Sequence, residues 1–245
     1  SIPGVSIDRK CGSAQQAMDF AAQGIIAGAY DLVIAGGVEM MSVVPMRANR
    51  LGKDDFGQAL GLRYPEGLVH QGISAELIAA RWKLPREALD AYALRSHQRA
   101  AEAEDAGLRR RDIVPISVPT ADGPPHIADR DEGVRRDTSL ERLAHLRPSF
   151  EDAAAKARFP QIDWSITAGN SSQITDGASA AILMEESLAI RLGLTPRIAF
   201  RHFAVTGSDP ILMLTGVIPV TQKILGRSGL RIADIDYYEV NEAFA

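Results

Sequence analysis

The chain has 245 residues, a formal net charge of −4 and 46% hydrophobic residues, enough to bury a sizeable core in one large or two small domains. Its mild acidity predicts neither a nucleic-acid nor an anionic-membrane partner. No apolar run reaches the roughly 20 residues of a membrane-spanning helix, and Asp8, Arg9 and Lys10 stand where a signal peptide would be apolar. The composition therefore predicts a cytoplasmic α/β protein.

Cysteine and histidine usage limits the metal and redox chemistry. The one cysteine, Cys11, excludes an intrachain disulfide framework and a site made of cysteines alone. The five histidines are scattered and form no H-x-x-x-H pair. We predict no bound metal ion.

The first elements predicted along the chain are a helix and a strand. Apolar side chains recur at helical spacing over residues 12–27, with Phe20 and Ile26 on the remaining face, so we expect a helix buried on most sides. Residues 32–35 predict a buried strand that ends at two glycines. A helix followed by a short apolar strand is half of a parallel α/β unit.

The middle of the chain, residues 42–174, predicts a largely helical insert. Ser74 is predicted to cap a helix that ends at Trp82, and Pro85 to occupy the first position of the next helix. The other predicted segments are irregular chain at 43–70, a strand at 113–118, a loop at 119–137, strands at 178–184, 198–205 and 235–240, and helices at 188–192 and 220–227.

The lone cysteine lies where the chain turns into the first predicted helix. Unpaired N–H groups and the positive end of the helix dipole favour a thiolate there, and the small residues Gly12, Ser13 and Ala14 would let a substrate carbonyl approach. These are the requirements of nucleophilic acyl transfer. The alternative is a small, buried, inert cysteine.

Three other polar places are candidates for a site. Residues 168–172 form a turn with hydroxyl groups, although an ordinary loop has the same composition. Asn241 and Glu242 follow the predicted strand 235–240, and ligands bind at the carboxyl ends of strands in open α/β sheets. His70, considered alone, is interpreted as a surface histidine or as one whose hydrogen bonds are satisfied within the protein.

Six ordered sequence blocks together resemble the thiolase family. They are RKCGS at 9–13, AGGVEMMS at 35–42, QGISAE at 71–76, LRPSF at 146–150, TAGNSS at 167–172 with DGA at 176–178, and NEAF at 241–244. They span essentially the whole chain. The resemblance implies a five-layer α/β/α/β/α thiolase fold, incomplete here, with the helical insert as its loop domain.

The resemblance also implies a division into domains. Residues 1–41 and 175–195 would form a partial, discontinuous N-terminal thiolase half. Residues 42–174 would form the loop domain that binds coenzyme A, and residues 196–245 the start of a C-terminal half. In the family a Gly-His-Pro histidine and a second cysteine follow the NEAF block, so we expect the chain to be a fragment that is inactive by itself.

Two residues would carry the chemistry by this resemblance. Cys11 would be the acyl-accepting nucleophile, and Asn241 would hold a water molecule that helps to form an oxyanion hole. The residues predicted to bind substrate and coenzyme A are His70 and Ser172 at the pantetheine channel, Arg135 and Phe150 at the nucleotide end, Met213 and Phe244 near the acyl and pantetheine pocket, and Ala168 and Gly169 of the TAGNSS block.

The implied reaction is thiolytic cleavage of a 3-ketoacyl-CoA to acetyl-CoA and a shortened acyl-CoA, or the reverse Claisen condensation. Coenzyme A would be a substrate and product, and no permanently bound cofactor is expected. Relatives are homodimers or homotetramers. Gln71 stands where biosynthetic relatives often have methionine, and the QGISAE block resembles degradative thiolases of β-oxidation, including those that act on steroid side chains.

Two alternatives stay open. A decarboxylating ketoacyl synthase on the same fold would also use a cysteine at a helix start, although the NEAF block fits it poorly. A non-catalytic acyl-CoA-binding or scaffold protein with a thiolase-like shell would bind coenzyme A without acylation of Cys11.

Overall fold

The structure, a computed structural model, describes residues 2–54, 56–121 and 123–245. Ser1, Asp55 and Asp122, which fall within the predicted segments 1–41, 43–70 and 119–137, lie outside the described residues. The chain divides into a first unit (Ser1–Leu60, Ile174–Thr206 and Ile218–Asp236) and a second unit (Gly61–Gln173, Gly207–Val217 and Tyr237–Ala245). The domain boundaries expected from the sequence stay predictions.

Helices and short antiparallel strand pairs make up the described chain. The helices are α1 (Ser13–Ile26), α2 (Gly57–Arg63), α3 (Gln71–Trp82), α4 (Arg86–Asp105), α5 (Leu140–Ala144), α6 (Ala153–Arg158), α7 (Glu186–Arg191) and α8 (Val217–Ser228). The strands are β1 (Leu32–Glu39), β2 (Ile116–Val118), β3 (His126–Ala128) and β4 (Gly177–Met184). Among the described residues no helix is both long enough and apolar enough to span a bilayer.

In the first unit β1 pairs with β4 in antiparallel orientation, with Leu32 opposite Met184 and Glu39 opposite Gly177. The expected parallel unit is therefore wrong for this strand. Burial gives the physical reason: Ala35 is buried while its neighbour Ile34 is 61% exposed. Only one face of β1 is covered, and antiparallel sheets tolerate that arrangement whereas parallel sheets are covered on both faces.

The core of the first unit lies between α1 and the β1–β4 pair. Its buried residues are Ala21 and Ala22 of α1, Ala35 of β1 and Leu183 of β4. Phe20 and Ile26 are exposed, so the prediction that α1 is buried on most sides is wrong. The helix packs through the face that carries Ala21 and Ala22, and Phe20 and Ile26 lie outside that face.

Two predicted strands, 198–205 and 235–240, are absent from the described chain. A strand requires a hydrogen-bonded neighbour, and neither segment has a strand partner among the described residues. The spacing of apolar residues does not show whether a segment has a hydrogen-bonded strand beside it. Phe200 and Phe203 instead stack on each other, with ring centroids 5.9 Å apart, and pack against the core of the first unit.

The second unit is built around α3, which is buried over most of its length. Ile73 and Leu77 pack against Ala155 and Ile162. A second cluster joins α3 to α4 and is formed by Ala75, Ala79, Leu89 and Ile166. Small residues on α3 let the neighbouring segments approach its backbone closely, as native packing density requires.

Three local predictions in the second unit need correction. His70, not Ser74, caps α3: its Nδ1 accepts a hydrogen bond from the Gly72 N–H at 3.1 Å. Ser74 is buried inside the helix, where its hydroxyl donates to the Ile211 carbonyl at 2.6 Å. Pro85 is the N-cap of α4 rather than its first residue. The expected loop at 119–137 contains β3, which pairs with β2.

We predict that Gly36→Ala destabilises the first unit. A Cβ at Gly36 would overlap the Ser179 carbonyl oxygen of β4, and overpacking of this kind costs about 1–3 kcal/mol. Urea denaturation measures the change. Gly177→Ala is the matched control because it lies in the same strand pair with open space at its Cβ, and it should shift the free energy of unfolding by less than about 0.5 kcal/mol. Equal effects of the two substitutions would contradict the prediction.

Candidate active site

Cys11 lies in a tight turn that leads into α1, and its residue is exposed. The Gly12 N–H donates to the Arg9 carbonyl at 3.1 Å, and the Ser13 N–H donates to the Lys10 carbonyl at 3.0 Å. Gly12 is the N-cap and offers no side chain to the helix N–H groups. The alternative of a buried, inert cysteine does not fit this exposure, and a reagent in solution can reach the thiol.

The side chains of the same turn hold its backbone in place. The Ser13 hydroxyl accepts from the Arg9 N–H at 2.8 Å and donates to the Lys10 carbonyl at 2.7 Å. Lys10 has a φ of 51°, in the left-handed region. A Cβ at Gly37 of β1 would lie 2.8 Å from the Ala14 Cβ, so β1 approaches the first turn of α1 closely. Cys11 is therefore carried by a turn with little room to rearrange.

A second contact of the first unit joins two of the sequence blocks. The Asp176 carboxylate accepts hydrogen bonds from the Ser42 N–H, at 3.0 Å, and from the Ser42 hydroxyl. These hydrogen bonds lower the pKa of Asp176 below its ordinary value. They tie the end of the AGGVEMMS block to the segment that enters β4. Ser42 and Asp176 both lie within the sequence motifs, but the sequence predicted no role for either of them.

In the second unit a buried carboxylate holds the segment that precedes the TAGNSS block. Glu76 of α3 is 1% exposed. Its Oε2 accepts from the Ser165 N–H at 2.9 Å and from the Ser165 hydroxyl at 3.2 Å, and its Oε1 accepts from the Ile166 N–H at 2.8 Å. Hydrogen bonds to an ionised acceptor are among the stronger ones in proteins. The helix and this segment are thereby locked together.

A second buried group, Asn170, continues the same network. Its Oδ1 accepts from the Thr167 N–H at 2.8 Å, and its Nδ2 donates to the Ser165 carbonyl at 3.0 Å and to Asp90 Oδ1 at 2.9 Å. Asp90 of α4 in turn accepts from Arg86 Nε at 2.7 Å. The network fixes the turn that carries Ala168 and Gly169.

The three predicted residues of the TAGNSS block differ in exposure. Ala168 and Ser172 are exposed, and Gly169 is half-buried. A Cβ at Gly169 would overlap the methyl ends of the Leu143 and Leu146 side chains, so a larger residue there would require both leucines to move. The turn presents small groups on a rigid backbone, which is what a ligand needs for close approach.

Three of the predicted ligand-binding residues form one aromatic cluster. The His70 and Phe150 rings stack with centroids 5.2 Å apart and planes at 28°. Phe150 also meets Phe244 edge to face, with centroids 5.9 Å apart. A Cβ at Gly72 would overlap the Phe150 ring, so this glycine admits the ring against α3. The structure thus brings together residues that lie far apart in the sequence.

The NEAF segment is paired with the TAGNSS block through its backbone. The Ser172 N–H donates to the Ala243 carbonyl at 2.9 Å, and the Ala245 N–H donates to the Asn170 carbonyl at 2.9 Å. Asn241 itself is exposed. Because residues 235–240 form no strand, the expectation that Asn241 follows the carboxyl end of a strand is wrong. The short antiparallel contact places residues 243–245, and not Asn241 itself, beside the TAGNSS block.

Glu242 joins the NEAF segment to α4. Its Oε1 accepts from the Tyr92 hydroxyl at 2.5 Å, and its Oε2 accepts from the Ser96 hydroxyl at 3.0 Å. The hydrogen bond to Glu242 is the main reason that the pKa of Tyr92 is raised above its ordinary value. The donors are four residues apart and therefore lie on the same face of the helix.

Arg135 and Met213 lie in other surroundings. Arg135 is exposed; its backbone N–H donates to His97 Nδ1 at 3.1 Å, and both residues line a cavity of about 210 Å³. Burial, followed by the charge of Arg135, lowers the pKa of His97. Met213 has a φ of 43° in a turn where its N–H donates to the Asp209 carbonyl at 2.7 Å.

The acidic and amide groups of the buried network were missed by sequence analysis. Glu76 and Asp90 each stand next to an apolar position of their helix, Leu77 and Leu89, and a carboxylate placed on a buried helix face needs partners. That is the one signal that could have revealed them. Among the residues that the structure describes, no group of three or more histidine, cysteine or acidic side chains is arranged to hold a metal ion.

Comparison with known proteins identifies the family. A family model described as the thiolase N-terminal domain matches residues 1–187, and one described as the thiolase C-terminal domain matches residues 194–245. The chain therefore belongs to the thiolase family.

Individual relatives agree with this membership. Over its whole length the chain is 40% identical to the steroid 3-ketoacyl-CoA thiolase of Mycobacterium tuberculosis, the acetyl-CoA acetyltransferase of Chromobacterium violaceum and the 3-ketoacyl-CoA thiolase of Cronobacter sakazakii. It covers 58%, 62% and 60% of these proteins, respectively. The chain thus spans about three fifths of the length of the curated relatives it matches.

A solved structure is also similar. The acetyl-CoA acetyltransferase of Syntrophomonas wolfei matches with a TM-score of 0.76 and 33% sequence identity, over 97% of this chain and 59% of that one. Together with the family match, this similarity confirms the α/β class and the thiolase fold expected from the sequence.

We predict that Glu76→Gln strongly destabilises the second unit. The amide that replaces one carboxylate oxygen is a donor, so the N–H groups of Ser165 or Ile166 would lose their acceptor in a buried place. Such a loss costs about 1–3 kcal/mol for each unsatisfied group. Urea denaturation checks the change. The control is Glu87→Gln, an exposed position of α4, which removes the same charge. A similar stability for both variants would contradict the role given to Glu76.

Proposed function

We propose that these residues belong to an acyltransferase that, as the full-length protein, cleaves 3-ketoacyl-CoA by thiolysis through an acyl-enzyme on Cys11. The observation that carries the proposal is the exposed thiol of Cys11 in the turn that opens α1, within the part of the chain that matches the thiolase N-terminal domain. The names of the relatives, 3-ketoacyl-CoA thiolase and acetyl-CoA acetyltransferase, support the same reaction class.

The first step would be attack by the Cys11 thiolate on the 3-keto carbonyl carbon. The bond between carbons 2 and 3 then breaks, its electron pair goes to the acetyl-CoA enolate, and a general acid protonates carbon 2. The family resemblance assigns that proton to a second cysteine, whereas these 245 residues contain one cysteine. An acyl thioester on Cys11 is left, and it nearly matches substrate and product thioesters in energy.

The second step would transfer the acyl group to coenzyme A. The thiol of a fresh coenzyme A attacks the Cys11 thioester, its proton goes to a base, and the acyl-CoA product leaves as the Cys11 thiolate is restored. Both steps place negative charge on a carbonyl oxygen, and one well-placed donor at such an oxygen is worth about 3–4 kcal/mol. We assign that role to a water molecule held by the exposed amide of Asn241.

We further propose that coenzyme A lies along the second unit. His70, Phe150 and Phe244 form an aromatic cluster, and Ala168, Gly169 and Ser172 lie on the turn held by Glu76 and Asn170. A long, flexible pantetheine chain is bound well by an apolar wall beside small residues with fixed backbone groups. Met213 would border the acyl group. Arg135, which lies beside a cavity, would border the nucleotide.

The cellular setting is proposed from the same resemblance. We infer a degradative thiolase of β-oxidation that acts in the cytoplasm as a homodimer or homotetramer, with acyl-CoA and coenzyme A as its small-molecule partners and without a nucleic-acid or membrane partner. The QGISAE block, in which Gln71 opens α3, supports the degradative direction.

The acyl-enzyme can be tested directly. We expect that mixing the full-length protein, of which these residues would form a part, with acetoacetyl-CoA, followed by acid quenching, leaves an acetyl group on Cys11 in peptide mass spectrometry. Cys11→Ala should remove both this adduct and thiolysis, with a rate loss of at least about a thousandfold, as for other covalent nucleophiles. Ser6→Ala, an exposed neighbour in the same segment, is the control and should leave both unchanged.

The outcomes of this experiment separate the alternatives. Thiolysis that persists in Cys11→Ala contradicts the proposed mechanism. Binding of coenzyme A without any Cys11 adduct indicates a non-catalytic acyl-CoA-binding protein. Acylation of Cys11 that is resolved only by a decarboxylating malonyl donor indicates a ketoacyl synthase.

The coenzyme A site is tested through the glycine under the aromatic cluster. In Gly72→Ala the new methyl group must displace the Phe150 ring, so we expect the affinity for coenzyme A to fall about tenfold, or about 1.4 kcal/mol. Isothermal titration calorimetry with coenzyme A measures it. Gly61→Ala of α2, with open space at its Cβ, is the matched control. Alanine favours a helix over glycine at both positions, so an equal affinity in the two variants would refute the site.

A further inference from the structure

The NEAF segment is held from two sides within the second unit. Its backbone pairs with residues 170–172 through two hydrogen bonds of 2.9 Å. Its Glu242 carboxylate is held by Tyr92 and Ser96 of α4, at 2.5 and 3.0 Å. The backbone contact begins at Ala243, so it does not reach Asn241. The side-chain contact is the one that immediately adjoins Asn241.

The Tyr92–Glu242 hydrogen bond is strong enough to restrain the position of the Glu242 side chain. A hydroxyl that donates to a carboxylate at 2.5 Å is a short, charge-assisted hydrogen bond, about twice as strong as a neutral one. The second donor, Ser96, occupies the other carboxylate oxygen. With both oxygens engaged, the carboxylate cannot rotate freely, and the backbone that carries it is restrained.

We propose that Tyr92 and Ser96 are positioning residues that act through Glu242 to hold Asn241 in place for the reaction. This inference rests on the proposed function, because the proposed function gives Asn241 its role at the reacting oxygen. The hydroxyls of Tyr92 and Ser96 donate to Glu242, so the role given to them is positioning and not catalysis. A misplacement of about 1 Å can cost about a hundredfold in rate, so a positioning contact one residue away affects turnover more than substrate binding.

The first experiment compares two tyrosine hydroxyls. In the full-length protein we expect Tyr92→Phe to lower kcat for acetoacetyl-CoA thiolysis about tenfold, within the range open to a misplaced group, with KM changed less than about twofold. Tyr237→Phe is the matched control, since Tyr237 lies in the same segment of the second unit and is 92% exposed. Ser96→Ala should have a smaller effect in the same direction, because its hydrogen bond is longer. Equal kcat values for Tyr92→Phe and Tyr237→Phe would overturn the proposal.

A double-mutant cycle then asks whether Tyr92 acts through Asn241. In an Asn241→Ala background, Tyr92→Phe should lower kcat by less than about twofold, since the group that it positions is gone. A full tenfold loss in that background shows that Tyr92 acts independently of Asn241 and overturns the inference. A merely structural role would instead lower the melting temperature and raise KM together.

An activity-independent measurement separates this inference from the proposed function. With asparagine labelled by nitrogen-15, the side-chain amide signal of Asn241, assigned by its loss in Asn241→Ala, should shift in Tyr92→Phe and stay in place in Tyr237→Phe. An unchanged signal in Tyr92→Phe overturns the positioning role whatever the activity. Failure of Cys11 to become acylated in the unaltered protein contradicts the proposed function. The spectroscopic result then still decides whether Tyr92 positions the Asn241 side chain.

Discussion

The candidate site in the second unit depends on one buried carboxylate. Glu76 is almost fully removed from solvent and accepts three hydrogen bonds from Ser165 and Ile166. A buried charge is tolerated only when its hydrogen-bonding capacity is filled, so α3 and this segment must form together. Asn170 and the paired NEAF segment both build on the position of that segment. The Glu76 contact thus fixes the start of the segment from which the turn and the pairing with the NEAF segment continue.

The turn around Cys11 is held in place by a different kind of contact. The backbone hydrogen bonds of Gly12 and Ser13 and the two contacts of the Ser13 hydroxyl support it at the surface. The close approach of Gly37 to Ala14 limits movement from the other side. A nucleophile must be both reachable and held, and an exposed turn tied to the first residues of a helix meets both requirements.

The longer helices were predicted closely from sequence, for a physical reason, whereas α5 and α6 were not predicted and α2 lies in the segment 43–70 that was expected to be irregular. Residues 12–27 and 220–227 were recognised because helical periodicity is a local property. Residues 198–205 have the composition of a strand, but a strand exists only beside a hydrogen-bonded neighbour, which local sequence does not specify. The antiparallel pairing of β1 escaped prediction for the same reason. Of the candidate site, sequence analysis named exposed groups such as Cys11 and missed the buried polar network, whose partners are 80 to 90 residues apart.

The motifs that carry the family resemblance contain residues of two kinds. Ser172 and Asn241 are exposed, whereas Glu76, Asn170 and Glu242 direct their polar atoms at other parts of the protein. The second kind stands inside the same short blocks as the first, often at the adjacent position. A block such as NEAF therefore places an exposed amide beside a carboxylate that is bonded to α4. The exposed position and the bonded position are fixed by the same few residues of backbone, so a change in the contacts of Glu242 would also disturb the backbone that carries Asn241.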